Sequence, residues 1–235
     1  MKQARCQLRP MKLPLLALVL ALFLLTEAGL FAQPLRQPHK TDPKAAELAK
    51  AVWQASGGEN WSKVSELRFT FIVEQDGKEL TRAEHDWKVH EGTDHVKWKG
   101  KEAAIRPATP PQDEDGKAAH ARWTNDSYWL LAPLKVLDYG AKLEYEGSKE
   151  SEGVACEVLR VSFEGVGLTP GDQYVFYVDP KTKLLRAWDY IPNAETVMHG
   201  TWEKYEKVGG LTLATEHNFA GKMIRFANIS AKTTD

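Results

Sequence analysis

His85, Asp86, His90, Asp94 and His95 stand within one short stretch, and all are residue types that can ligate a divalent metal. Zinc needs about four converging donors in fixed geometry. On an extended strand His85 and His95 differ in parity from His90. No two of these imidazoles have the one-residue gap that sets rings side by side on one strand face. The spacing therefore predicts hairpin side chains in water and no metal site. Glu164, Asp172 and Asp189 are the candidates for paired carboxylates acting as acid and base in hydrolysis. Asp172 follows Pro170-Gly171, however, and turn chemistry accounts for it. The chain has no Gly-x-Ser-x-Gly elbow, no Walker phosphate loop and no His-Glu-x-x-His helix. These patterns assign no catalytic residue and no cofactor, and they point to a protein that is not an enzyme.

The N-terminus decides the compartment in which such residues would work. Leu13 to Leu25 is an uncharged apolar run behind Lys2, Arg5, Arg9 and Lys12, followed by a segment ending at Ala32. That is the pattern of an export signal. The run is shorter than the roughly 20 residues of a spanning helix, so no stable membrane span is expected after cleavage. Residues 1–32 read as a signal peptide, with Met11 an alternative start, residues 33–41 as a flexible leader, and residues 42–235 as one domain. The expected location is periplasmic or secreted. Cleavage removes four basic residues and one acidic residue (Glu27) from totals of 31 and 32, leaving a net charge of −4. Nucleic-acid and anionic-membrane surfaces need clustered positive charge, which this balance does not offer. Cys6 lies in the signal, so Cys156 has no internal disulfide partner and reads as a small buried hydrophobe.

The elements follow from period and punctuation. Asp42 can cap a helix with Pro43 at its first position and Gly57-Gly58 at its end, and Ala45, Leu48, Ala49 and Val52 give it a narrow apolar stripe. After Asn60 the period becomes two. Leu67, Phe69, Phe71 and Val73 alternate with Arg68, Thr70, Ile72 and Glu74, and Asp76-Gly77 makes the turn into a return strand over 80–90. On that strand Ala83, His85, Trp87 and Val89 share a face. Strands over 93–99 and 102–106 complete a meander. Residues 107–117, with three prolines and three acids, read as a loop, and 118–131 as a helix closed by Pro133. Further strands are predicted over 142–146, 154–164, 173–179, 184–190, 200–208, 211–219 and 223–230. In several of them, such as Tyr174 to Val178, neither parity is polar, so both sheet faces must be covered. The fold class is α+β, mainly β: about ten antiparallel strands with a few helices.

Three segments carry a resemblance: Asn125 to Pro133 (NDSYWLLAP), Val166 to Asp172 (VGLTPGD) and Tyr177 to Thr182 (YVDPKT). With the later Trp202-Glu203-x-Tyr205-x-x-Val208-Gly209-Gly210-Leu211, they are similar to an uncharacterised family of exported bacterial proteins. That family resembles the LolA-type superfamily of outer-membrane lipoprotein-sorting carriers. The resemblance implies a strongly curved antiparallel sheet, a half-barrel, whose concave face is covered by helices with an apolar cavity between. In such carriers the cavity holds acyl chains. Here the candidate lining is Phe69, Phe71, Trp87, Trp98, Trp129, Leu143, Leu159, Val161, Phe176 and Trp188, with Val166, Leu168 and Asp172 in a loop near the mouth. The expected partner is a hydrophobic small molecule or acyl chain, that of a lipoprotein included, and not nucleic acid. Two other functions stay open: an exported scaffold with a filled core that docks a partner protein, and a hydrolase whose site carries no recognised motif.

Overall fold

The computed structural model describes residues 42–163 and 171–234. The expected signal and leader lie outside them. Helix α1 spans Pro43–Ala55; the Asp42 carboxylate accepts from the Lys44 N–H at 3.1 Å, and Ala45, Leu48, Ala49 and Val52 are the buried stripe. Strands β1 (Val64–Gln75), β2 (Lys78–Lys88), β3 (Thr93–Trp98) and β4 (Lys101–Ile105) form the meander, with Asp76-Gly77 at the first turn. Helix α2 spans Glu114–Leu131, and β5 to β8 follow as Ala141–Ser151, Val154–Phe163, Gln173–Val178 and Leu185–Asn193. The chain then builds β9 (Thr196–Thr201), β10 (Glu203–Val208), β11 (Leu211–Phe219) and β12 (Lys222–Thr233).

All twelve strands belong to one antiparallel sheet that curves without closing, in the order β4-β3-β2-β1-β12-β11-β9-β8-β7-β6-β5, with β10 paired to β11 beside this path. The apolar stripe of α1, Trp129, Leu130 and Leu131 of α2, and the inward residues of both halves of the sheet form one core. On the opposite face Cys156, Val158, Val175 and Ala187 are also buried. Long polar side chains of the sheet itself share that face: the Tyr177 hydroxyl donates to Asp189 at 2.7 Å and Arg160 donates to Gln173 at 2.9 Å.

The structure corrects two boundaries. Helix α2 begins four residues earlier than its apolar spacing suggests, inside the acidic stretch read as loop. Asp113 caps it by accepting from the Gly116 N–H at 2.8 Å, and Glu114 and Asp115 lie in its first turn, where carboxylates favour the helix dipole. The strand expected over 200–208 is two strands divided at Trp202. Its N–H donates to the Arg186 carbonyl at 2.7 Å, and Lys204 has a positive φ of 48° that turns β10 away from β8. β8 in turn runs past Tyr190 through Pro192, where its register with β9 shifts. Proline cannot donate to the ladder, and the irregularity sits there.

One glycine fixes how α1 meets the sheet. Gly57 has φ +80°, and a Cβ there would lie 2.3 Å from the Gly210 carbonyl oxygen and 2.9 Å from the Leu211 Cα, while the Ser56 carbonyl accepts from the Thr212 N–H at 3.0 Å. Gly57→Ala combines a left-handed backbone with a backbone clash and is expected to cost about 3 kcal/mol. Urea denaturation checks this; a loss below about 1 kcal/mol would mean that α1 does not dock on the β10–β11 turn as described.

Candidate functional site

Nine of the ten candidate lining residues, Phe69, Phe71, Trp87, Trp129, Leu143, Leu159, Val161, Phe176 and Trp188, are buried in the main core. Trp98 is elsewhere. It packs with Ala83, Val96, Ile105 and Ala119 under the N-terminal half of α2, with the Arg122 guanidinium 5.6 Å from its ring centroid. Asp172 is buried and accepts from the Tyr190 hydroxyl at 2.9 Å. Val166, Leu168 and Glu164 lie outside the described residues.

The centre of the core is a set of touching rings. α2 lays Trp129 over the β8–β11 half of the sheet, with centroid separations of 4.5 Å to Trp188, 4.9 Å to Phe219 and 5.2 Å to His217. Trp202 stands 5.2 Å from Trp188 and 4.6 Å from His217, and Tyr128 stacks 5.7 Å from Trp188. Tilted and edge-on pairs of this kind contribute about 0.5–1.5 kcal/mol each beyond the area they bury. Trp188 needs a neighbour without a side chain: a Cβ on Gly200 would lie 3.0 Å from its Nε1. The rings occupy the space between sheet and helix. Two open grooves among the described residues, of about 320 and 440 Å³, lie one at the β1–β2 and β11–β12 turns and one at the β3–β4 turn. Of the ten candidates only Trp98 borders either groove.

Polar atoms are embedded in this ring set. The His217 ring is fully buried, and its Nδ1 lies 3.0 Å from the Thr201 carbonyl. A carbonyl can only accept, so Nδ1 carries the proton and Nε2 presents a lone pair. Burial pulls this imidazole down to about 3, against the bond to Thr201, so it is neutral. Among the described residues, His217 Nε2 and the indole N–H groups of Trp188 and Trp202 have no hydrogen-bond partner.

The second arrangement overturns an expectation. His85 and Asp94 are not solvated hairpin residues; their exposures are 3% and 1%. His85 Nδ1 lies 2.7 Å from an Asp94 oxygen and Nε2 lies 3.1 Å from an Asp126 oxygen, and the ring stacks on Phe69 at 4.5 Å. The Asn125 side chain donates to the other Asp126 oxygen at 2.8 Å. Burial works against the charged imidazole, but the hydrogen bonds and charges of Asp126 and Asp94 outweigh it and raise it to about 9. His85 is therefore an imidazolium donating from both nitrogens to carboxylates on β3 and α2. With both nitrogens donating, the ring has no lone pair to act as a base, and the constellation ties α2 to the meander. Parity already placed His85 with Ala83 and Trp87 on an apolar face, and that was the available signal. Nothing in the local spacing pointed to Asp126, 41 residues away.

The convex face carries one further set. Asp189 accepts from Tyr177 and pairs with His199 Nδ1 at 2.7 Å, with His199 Nε2 3.5 Å from Glu152. Asp172 bonds to Tyr190 and Asp189 to Tyr177 and His199, so these two of the carboxylates considered for hydrolysis are engaged separately.

No family model matches the sequence, and no curated protein matches it. Solved structures do. A LolA superfamily protein from Nitrosomonas europaea aligns with a TM-score of 0.51 at 9% identity, covering 80% of this chain and 94% of that one. A DUF1329 family protein from Desulfovibrio piger aligns at 0.49 with 13% identity, covering 82% and 94%.

Proposed function

We propose that this chain, which has the LolA-like fold, is an exported, non-enzymatic protein that sequesters or carries a hydrophobic ligand, an acyl chain or lipid, between the concave sheet face and α2. The observation that supports this is how α2 is attached. Its fastenings reach β2, β3 and β4, through Asp126 to His85, Lys101 to Asp115 at 2.7 Å, and Ala119 against Val96 and Ile105. Its Trp129 lies over the other half of the sheet, where it touches Trp188 and Phe219. A ligand that replaced Trp129 would meet an aromatic and aliphatic floor.

The energetics permit the exchange. Removing a buried tryptophan from its packing costs about 3–5 kcal/mol. Burying an acyl chain of about 14 methylenes contributes on the order of 11 kcal/mol before ordering costs, at about 0.8 kcal/mol per CH₂. Among the described residues, no helix is long and apolar enough to cross a membrane.

The rings already in contact favour a second reading, an exported scaffold whose core is filled and which docks a partner. Native mass spectrometry separates the two. The full chain, exported from its producing cells and purified without detergent, is expected to carry added lipid mass and to bind Nile red. Clean apo spectra from repeated preparations, with no Nile red binding, would overturn the carrier and leave the scaffold.

A further inference from the structure

We infer that Trp188, Trp202 and His217 form a head-group subsite for a ligand whose apolar chain ends in an uncharged group offering an acceptor beside a donor, and that Trp129 plugs it when empty. The inference rests on the carrier reading above and specifies what that site selects. The three side chains are 2%, 3% and 0% exposed, yet each holds a nitrogen without a partner among the described residues. Buried polar groups in native proteins are almost always paired, so three orphans on touching rings call for a missing partner. The rings are linked in sequence, Trp188 to Trp202 at 5.2 Å and Trp202 to His217 at 4.6 Å, and Trp129 contacts both ends of that path.

The chemistry of the three nitrogens sets the selectivity. Two indole N–H groups can only donate, and His217 Nε2, with its proton committed on Nδ1 to Thr201, can only accept. An amide or a hydroxyl satisfies both kinds: its oxygen accepts from indole, and its N–H or O–H donates to the imidazole. An ester has no donor and leaves Nε2 unpaired. A carboxylate has no donor either, and it would be buried against a lone pair with no cation in the ring set. A site that loses one buried hydrogen bond discriminates strongly against the analogue lacking the group.

The test measures displacement of Nile red by four twelve-carbon probes: dodecanamide, dodecanol, methyl dodecanoate and dodecanoate. Dodecanamide and dodecanol are expected to bind at least tenfold more tightly than the ester and the carboxylate. Joint replacement Trp188→Phe with Trp202→Phe keeps rings but removes both donors, and should weaken dodecanamide, dodecanol and methyl dodecanoate at least tenfold, since the oxygen of each accepts from indole. Trp202→Phe alone serves if the pair does not fold, with a smaller loss in the same direction. Trp129→Ala should tighten all four probes. Equal binding of the four by the parent protein, or unchanged dodecanamide affinity in the phenylalanine variants, overturns the subsite while leaving the carrier intact. Failure of every probe and of Nile red, in the parent and in Trp129→Ala, overturns both.

Discussion

Replacing His85 with Asn is expected to cost about 3–5 kcal/mol of stability, because it strands two buried carboxylates that now share one cation. Asp94 and Asp126 are 1% and 2% exposed and sit 2.7 and 3.1 Å from the ring nitrogens, so neither can turn to water. The loss should be recovered in part by Asp126→Asn in the same chain, since that removes one of the stranded charges. The parent protein also carries a pH signature of the arrangement. His85 titrates near 6.5 when unfolded and at about 9 when folded, so the imidazolium contributes stability that is fully present below pH 6.5. That contribution declines as pH rises from 6.5 and is gone above about 9. The span corresponds to about 3 kcal/mol. Urea midpoints at pH 6 and pH 9.5 should therefore separate for the parent and converge for His85→Asn, once the slope common to both is subtracted. Identical pH dependence in the two proteins would mean that His85 is not charged in the folded state.

The same residue shows where sequence reading succeeded and where it stopped. Alternation in β1, the Asp76-Gly77 turn and the capped stripe of α1 are local signals, and each element they announce is present at nearly the expected residues. The mainly β fold follows from the strand periods and its curvature from the family resemblance, and the single unclosed sheet and its likeness to a LolA superfamily structure bear both out. What failed was non-local. Parity put His85 on the apolar face, but a buried imidazolium needs charged partners, and Asp126 is supplied by a helix 41 residues further on. Asp126 and Trp129 both lie in the Asn125–Pro133 segment that carries the family resemblance; one anchors α2 and the other closes the ring set, and neither role is visible in spacing. Ala83 and Trp87 share one face of β2, yet Ala83 joins Val96 and Trp98 under the N-terminal half of α2 while Trp87 joins the main core, so a single strand face serves two separate clusters. Strand parity assigns a face, and only the packing helix decides which core that face joins.

That division predicts which tryptophans act together. Trp188→Ala removes the ring that contacts Tyr128, Trp129, Tyr174, Phe176 and Trp202, and is expected to destabilise by about 3–5 kcal/mol with loss of near-ultraviolet aromatic circular dichroism. Trp188→Phe should cost far less, about 1–2 kcal/mol, because the indole N–H it deletes has no partner and only volume is lost. Combining Trp188→Ala with Trp129→Ala should fall short of the sum of the single losses by about 1 kcal/mol or more, since each variant already forfeits the shared contact at 4.5 Å. Combining it with Trp98→Ala should add to within about 0.5 kcal/mol, since Trp98 belongs to the other cluster. Urea denaturation of the four single and two double variants tests all of this. Strong coupling between Trp188 and Trp98 would mean that α2 moves as one body over both clusters, and Trp129 could then leave the rings only by releasing the His85 anchor as well.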